Sequence, residues 1–150
     1  MRMMQAGAIL SLLALTLGAT AQAEEAAVPA AQTTASKDAL DVELNALVPS
    51  QKGCMMTFVA RNGMAVPVTK ISFELAFFNQ KNAVDRITVL DFRDLPVGKV
   101  RVRQFDMPGV QCDSVSRIIV NDTPVCDGPA AGECMGKLTT RSQLSVPFEG

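Results

Sequence analysis

The sequence contains no histidine, tryptophan or tyrosine. Histidine is the usual general base of hydrolases and the commonest metal ligand in proteins, so its absence removes most catalytic triads and most transition-metal sites. Tryptophan and tyrosine form the platforms that bind sugars, because they combine a large apolar ring with a polar group. The chain therefore lacks the side chains on which the common catalytic centres and carbohydrate sites depend.

The chain also lacks an excess of charge of either sign. It has 14 basic and 15 acidic residues among 150. A nucleic-acid-binding surface needs clustered positive charge, and no segment of this sequence supplies it. We therefore expect no nucleic-acid partner.

Residues 1–23 have the pattern of a secretory signal peptide. Arg2 precedes an apolar run at 6–17, and Ala21-Gln22-Ala23 is the small-x-small pattern that signal peptidase cleaves. The run is shorter than the about 20 residues of a membrane-spanning helix, which argues against the alternative of an uncleaved anchor. We predict export to the periplasm by the general secretory route, with a mature chain that begins at Glu24 and keeps no stable membrane anchor.

Residues 24–38 predict a disordered linker, and residues 39–150 predict a single folded domain. The linker has few large apolar side chains and no periodicity, so it cannot bury enough surface to offset its loss of conformational entropy. Leu40, Val42 and Leu44 alternate with acidic residues, which favours a first strand over the alternative of a short helix across 35–47.

The clearest strand pattern lies at 68–79. Apolar and other residues alternate there with period two, which predicts a central strand with one wet face. The predicted core face carries Ile71, Phe73, Leu75 and Phe77, and the other face carries Ser72, Glu74 and Ala76.

The next two strands carry a weaker alternation. At 84–92, Ile87 and Val89 share a face, and the phase shifts at Leu90 and then Phe92, which indicates a bulge or a strand end. At 99–107 the pattern predicts that Val100 and Val102 face the core, while Arg101 and Arg103 face the solvent.

Seven strand candidates, separated by turn residues at short spacing, predict an all-β protein with about seven antiparallel strands. We favour an immunoglobulin-like β-sandwich over a closed barrel, with Phe58, Phe73 and Phe77 in place of the tryptophan of antibody cores. The last strand is expected at 137–148, at a sheet edge because of Pro147.

The four cysteines of an exported chain predict a disulfide framework. Cys126 and Cys134 flank a turn-rich loop that a bridge can close. Cys54 is in phase with Phe58, and Cys112 is in phase with Ile118, so both are expected to point inward. We therefore predict the pairs Cys54–Cys112 and Cys126–Cys134 among the three pairings that four cysteines allow.

A metal site is the alternative interpretation of the same region. Met55, Met56 and Met135 lie near cysteines and could form a soft site for a cuprous ion. Methionine in strands more often fills the core. We therefore expect no metal and no cofactor.

Three segments carry a family resemblance. They are Ile-Ser-Phe-Glu-Leu-Ala-Phe-Phe-Asn at 71–79, Val-Leu-Asp-Phe-Arg-Asp-Leu-Pro-Val-Gly-Lys at 89–99 and Arg-Val-Arg-Gln-Phe-Asp-Met at 101–107. The chain resembles small uncharacterised proteobacterial periplasmic proteins labelled by their Tat or Sec signal sequences, and its layout is similar to the FxLYD type of extracytoplasmic β-sandwich. The resemblance implies an exported sandwich and supplies no catalytic residues.

The function that fits this pattern is a non-enzymatic interaction or accessory module with an unknown protein partner in the cell envelope. Arg86, Arg101 and Arg103 are the candidate surface for that partner. The alternative interpretation, which we favour for these arginines, is an ordinary solvated face balanced by Glu74 and Asp85.

Two further functions stay open as alternatives to the interaction module. One is a ligand- or metal-binding module. The other is a hydrolase without a histidine-based site, in which Ser114 or Ser116 would be the nucleophile. No Gly-x-Ser-x-Gly pattern surrounds either serine, so we predict that the protein is not an enzyme.

Overall fold

The computed structural model describes residues 36–150. The predicted signal peptide and most of the predicted linker lie outside the described residues. The described part forms two four-stranded sheets, and their strands are ordered β5-β2-β1-β7 and β4-β3-β6-β8. The strands are β1 Leu40–Pro49, β2 Gly53–Asn62, β3 Val68–Asn79, β4 Val84–Leu95, β5 Val100–Pro108, β6 Val115–Asp127, β7 Leu138–Ser142 and β8 Phe148–Glu149, with one short helix, α1 Glu133–Gly136.

The two sheets pack as the predicted immunoglobulin-like sandwich. β1, β2 and β5 are neighbours in one sheet, as strands A, B and E are in the immunoglobulin fold, and β3 lies beside β6 as strand C lies beside F. The predicted first strand is confirmed as β1. Each sheet buries one face against the other, which explains the period-two patterns in the sequence.

The prediction of one final strand was wrong. Two short strands replace it, and they belong to different sheets: β7 pairs parallel to β1, and β8 pairs parallel to β6. The Ser142 hydroxyl accepts a hydrogen bond from the Leu144 backbone at 3.1 Å, and this turn ends β7 and directs the chain across to the other sheet. The sandwich consequently has eight strands, and two of its pairings are parallel.

Phenylalanine side chains fill the centre of the core. Phe58, Phe73 and Phe77 are buried as predicted, and Phe92 joins them. The Phe92 ring meets Phe73 with a centroid distance of 4.9 Å and Phe58 with one of 5.5 Å, both edge to face. Such pairs take the volume that a tryptophan occupies in antibody domains.

The disulfides are those that the sequence predicts. Cys54 of β2 is joined to Cys112, which lies in a single 3-10 turn ahead of β6, so this bridge ties the two sheets together. Cys126 at the end of β6 is joined to Cys134 of α1. Disulfides persist in oxidising compartments, so the pair indicates an extracytoplasmic environment.

The predicted faces of β5 were reversed. Arg103 lies opposite the buried Phe58, so the arginines of β5 are on the inner side, while Val100 and Val102 are 55% and 58% exposed. A strand can bury only one of its two faces. The face that carries Phe105 and Met107 has the larger apolar area, so burying it is worth more than burying two valines.

The irregularity predicted in β4 is present at Phe92 but not at Leu90. The pairing with β3 is continuous from Arg86 to Asp91, and Leu90 lies inside, opposite Phe73. Ile87 and Val89 are on the outer face and about half exposed. The irregularity comes later, where Phe92 is an extra residue between the paired Asp91 and Arg93.

The outer face of β3 is less wet than expected. Ile71, Phe73, Leu75 and Phe77 are buried as predicted, but Ser72 and Ala76 on the opposite face are only 5% and 6% exposed. Small side chains on a central strand are covered by larger neighbours from the strands on either side. Of the three residues predicted for this face, Glu74 alone keeps part of its side chain in solvent.

Candidate functional site

The candidate site is the seam where the edges of the two sheets meet. β4 is the last strand of one sheet and β5 is the last strand of the other, and within the described residues each pairs with a strand on one side only. Unpaired edges expose backbone hydrogen-bonding groups and are the usual places where a second chain adds to a sheet. Whether a second chain can bind at the seam therefore depends on which groups already occupy the backbone donors and acceptors of the two edges.

Arg103 closes one end of the seam. Its Nε donates to the carbonyl oxygen of Phe92 at 2.6 Å, and its Nη2 donates to the carbonyl oxygen of Asp94 at 3.1 Å. The side chain is 18% exposed. The guanidinium thus takes the place of a neighbouring strand at the end of β4. Its rigid fork of donors matches the carbonyl groups of Phe92 and Asp94, which point toward it.

Asp94 neutralises the arginines at this end. Its carboxylate accepts from Arg101 at 3.0 Å and lies 3.4 Å from Arg103 Nη2. The hydrogen bond from Arg101 is the main cause that holds the pKa of Asp94 below its ordinary value. Asp94, and not Glu74 or Asp85, is therefore the counter-charge of these arginines.

Arg86 closes the other end of the seam. Its Nη1 donates to the carbonyl oxygen of Pro108 at 3.0 Å, across from β4 to β5. The structure thus brings the three predicted arginines, Arg86, Arg101 and Arg103, to one seam. Arg101 and Arg103 reach it from the inner side of β5, so the prediction that they face the solvent was wrong.

A groove of about 520 Å³ opens along the seam. Arg103, Leu90 and Phe105 lie on the inner side, and outward-facing residues of the two edge strands form the walls. The lining residues are Val89, Leu90, Asp91, Arg93, Val102, Arg103, Gln104 and Phe105. The volume is within the usual range for ligand sites, and a position between two edge strands is suited to binding an extended chain.

Exposed apolar side chains are concentrated on the two strands that border this groove and on the connection between them. Eight large apolar residues are exposed in the described part of the chain, and six of them lie on β4, on β5 or in the connection between the two strands. The six are Val84, Ile87, Val89, Val97, Val100 and Val102. Val89 and Val102 line the groove itself, and exposed apolar side chains beside charged residues are typical of protein-binding surfaces.

Arg93 stands on the wall of the groove with an unusual backbone. Its φ is 62°, a left-handed value that is rare for arginine, and its backbone N–H donates to Asp91 Oδ1 at 2.8 Å. Within residues 36–150 its guanidinium makes no hydrogen bond or ion pair. The irregularity of β4 at Phe92 therefore places an exposed positive charge on the lip of the groove.

A second charged cluster, on the outer face of the sheet that contains β1, β7 and β5, was not predicted. Arg141 of β7 donates to Glu43 of β1 at 2.6 Å and lies 3.7 Å from the buried carboxylate of Asp41. Burial alone would raise the pKa of Glu43, but hydrogen bonds from Gln143, Arg141 and Asn45 outweigh burial and lower it.

No sequence signal pointed to this second cluster, because it depends on the pairing of β1 with β7, strands almost 100 residues apart. Arg141 is hydrogen-bonded to Glu43 and lies within ion-pair distance of Asp41, whose carboxylate oxygens accept no hydrogen bond within residues 36–150. We therefore interpret the cluster as structural.

The candidate nucleophiles have structural roles. The Ser114 hydroxyl donates to the Gln111 carbonyl at 2.7 Å, and the Ser116 hydroxyl donates to the Asn79 carbonyl at 2.6 Å. Hydroxyls that serve backbone carbonyls in this way fix turns and strand ends. Neither serine is hydrogen-bonded to a basic side chain within the described part of the chain.

The three methionines considered for a metal do not converge. Met55 and Met56 are adjacent on β2, so their side chains lie on opposite faces of the sheet, and Met56 is in the core. Met135 packs against the core from α1. All four cysteines are disulfide-bonded.

Among residues 36–150, no helix is both long and apolar enough to span a membrane. No family model, no curated protein and no solved structure matches the chain.

Proposed function

We propose that the chain is an exported, periplasmic and non-enzymatic β-sandwich that binds a protein partner of the cell envelope. The single observation that carries this proposal is the concentration of exposed apolar side chains at the β4–β5 edge. Binding there would bury valines that folding leaves in water, which is the usual source of affinity at protein interfaces.

Two features support export. The sequence at 1–23 has the three parts of a signal peptide, and the two disulfides fit an oxidising compartment. Intact mass of the protein from a periplasmic fraction tests this half of the proposal. We expect a chain that begins at Glu24 with all four cysteines oxidised, and a mass that retains residues 1–23 would contradict it.

Site-specific crosslinking in the native periplasm tests the binding half. A photo-crosslinking residue at Val102 is expected to give a discrete adduct with another protein. The matched control is the same residue at Val48, which is 53% exposed on β1 and lies two strands away from the edge. Equal adducts from both positions, or none from Val102, would rule out the β4–β5 edge as the binding surface.

A further inference from the structure

We propose that the partner contributes an extended segment that pairs with β5 as an additional strand, and that this segment carries alternating apolar side chains and a carboxylate for Arg93. The inference rests on the proposed function, because it assigns the chemistry of the partner at the same edge. Strand addition to an open sheet edge is an established way in which proteins bind peptides.

β4 is a poor acceptor for such a strand. The carbonyl oxygens of Phe92 and Asp94 are already bonded to Arg103, and the extra residue at Phe92 disturbs the regular spacing of the edge. Both features are known protections of edge strands against pairing. A segment that enters the seam therefore has to find its hydrogen bonds on β5.

β5 keeps its open edge for most of its length. Successive residues of a strand direct their backbone groups to opposite sides. The carbonyl oxygens of Val102 and Pro108 accept hydrogen bonds from the side chains of Arg103 and Arg86, so we infer that they point away from β2. The backbone groups of Gln104 therefore point the same way. The Val102 carbonyl has only a long contact of 3.4 Å with Arg103 Nη1, which a strand could displace.

The walls of the groove determine the side chains of the partner. A strand on β5 directs every second side chain toward Leu90 and Phe105, which are apolar. Val89 and Val102 line the same groove and are about half exposed. The guanidinium of Arg93 on the opposite wall, which has no ion-pair partner in the described part of the chain, favours a carboxylate, since it is an exposed cation at the margin of an apolar contact.

The test uses the mature oxidised chain and a fluorescein-labelled synthetic peptide. The peptide alternates valine and threonine around one central glutamate and is acetylated and amidated at its ends. We expect saturable binding by fluorescence anisotropy below about 1 mM peptide. We also expect slower amide exchange at Val102 and Gln104, because their N–H groups become hydrogen-bonded. No saturation in that range would overturn the proposal.

Backbone methylation separates strand addition from side-chain contact. One version of the peptide carries N-methyl groups on its valines and the other on its threonines. Only one set of amides can face β5, so one version should lose binding and the other should keep it. Equal effects of the two versions would overturn strand addition. Partner crosslinks from Val102 would then still support the proposed function.

Matched variants test the two walls. Arg93→Asn removes the charge and keeps a residue that tolerates positive φ, and it should weaken the glutamate peptide about three- to fivefold, as an exposed ion pair does. The glutamine version of the peptide should not respond to Arg93→Asn. Lys81→Asn, the same loss of charge in the β3–β4 hairpin, should have no effect. Equal effects of Arg93→Asn and Lys81→Asn would contradict the carboxylate contact.

Val102→Thr keeps the shape and strand preference of valine but replaces a methyl group with a hydroxyl. The loss of apolar surface should weaken binding of both peptides. Its control is Val48→Thr on β1. If Val48→Thr weakened binding as much as Val102→Thr, the peptide would not lie along β5.

Discussion

The Nε of Arg103 donates to the carbonyl oxygen of Phe92 at 2.6 Å, and this bond joins the edge strand of one sheet to the edge strand of the other. Phe92 is buried, and its ring packs on Phe58 and Phe73 in the centre of the core. A charged side chain therefore holds the backbone of a core residue in place at the margin of the sandwich. The same bond blocks β4 and leaves β5 as the open edge.

Replacing Arg103 should destabilise the fold more than replacing Arg101. Arg103→Ala removes two hydrogen bonds to backbone carbonyls from a mostly buried guanidinium, and bonds to charged groups contribute about 1.5–3 kcal/mol. Within residues 36–150 the Arg101 guanidinium bonds to the Asp94 carboxylate alone, in a partly exposed ion pair, so Arg101→Ala should have a much smaller effect. Urea titrations of both variants measure the difference, and equal midpoints would show that Arg103 does not hold the seam.

Truncation of Phe73 should cause a large loss of stability, and truncation of Glu74, the next residue in β3, only a small one. Phe73 is 1% exposed and packs edge to face on Phe92, so Phe73→Ala should cost about 3–5 kcal/mol. Glu74→Ala on the outer face should change the free energy of unfolding by only about 0.5 kcal/mol. Denaturant titrations of the two variants would contradict a one-sided β3 if both lost the same stability.

The two disulfides should differ in their contribution to stability. The loop closed by Cys54–Cys112 spans 58 residues and that closed by Cys126–Cys134 spans 8. Loop entropy assigns about 4 kcal/mol to the long bridge and about 2.5 kcal/mol to the short one. Alanine pairs at each bridge, compared by urea titration, test the order.

Peptide mapping without reduction provides the control for that comparison. It should recover the two bridges as separate cross-linked peptides. A Cys54–Cys126 peptide would be incompatible with the structure.

The protein should lose stability in acid partly through Glu43. The pKa of Glu43 in the folded state is below its ordinary value of 4.5, because hydrogen bonds from Gln143, Arg141 and Asn45 outweigh burial. A lowered pKa contributes stability that is present above the ordinary pKa and is lost as the pH falls through the folded-state value. The free energy of unfolding should therefore fall below about pH 4.5, and Glu43→Gln should flatten this slope.

The check on Glu43 is a series of urea titrations between about pH 3 and 6, where carboxylates titrate. Glu74→Gln is the matched control, since Glu74 lies on an outer face and accepts a single hydrogen bond from Asn121. An unchanged slope in the Glu43→Gln variant would contradict the assignment.

Much of the fold follows from the sequence alone. The alternation at 71–77 determines which face of β3 is buried, because each residue of a strand points opposite to the next. The predicted pairing of Cys54 with Cys112 is correct, and strand phase accounts for the buried Cys54, whereas Cys112 lies in a 3-10 turn to which strand phase does not apply. Local period-two patterns and turn residues carry this information within each segment, so no knowledge of distant strands is needed.

The candidate site depended on the tertiary structure. β4 and β5 each present two faces that both contain apolar residues, and local pattern does not decide between them. Contacts with Phe58 and Phe73 from other strands decide that Phe92 and Phe105 turn toward the core and that the valines stay in solvent. The seam exists only because the sheets end side by side at β4 and β5, and that proximity is a property of packing, which the order of residues along one strand does not encode.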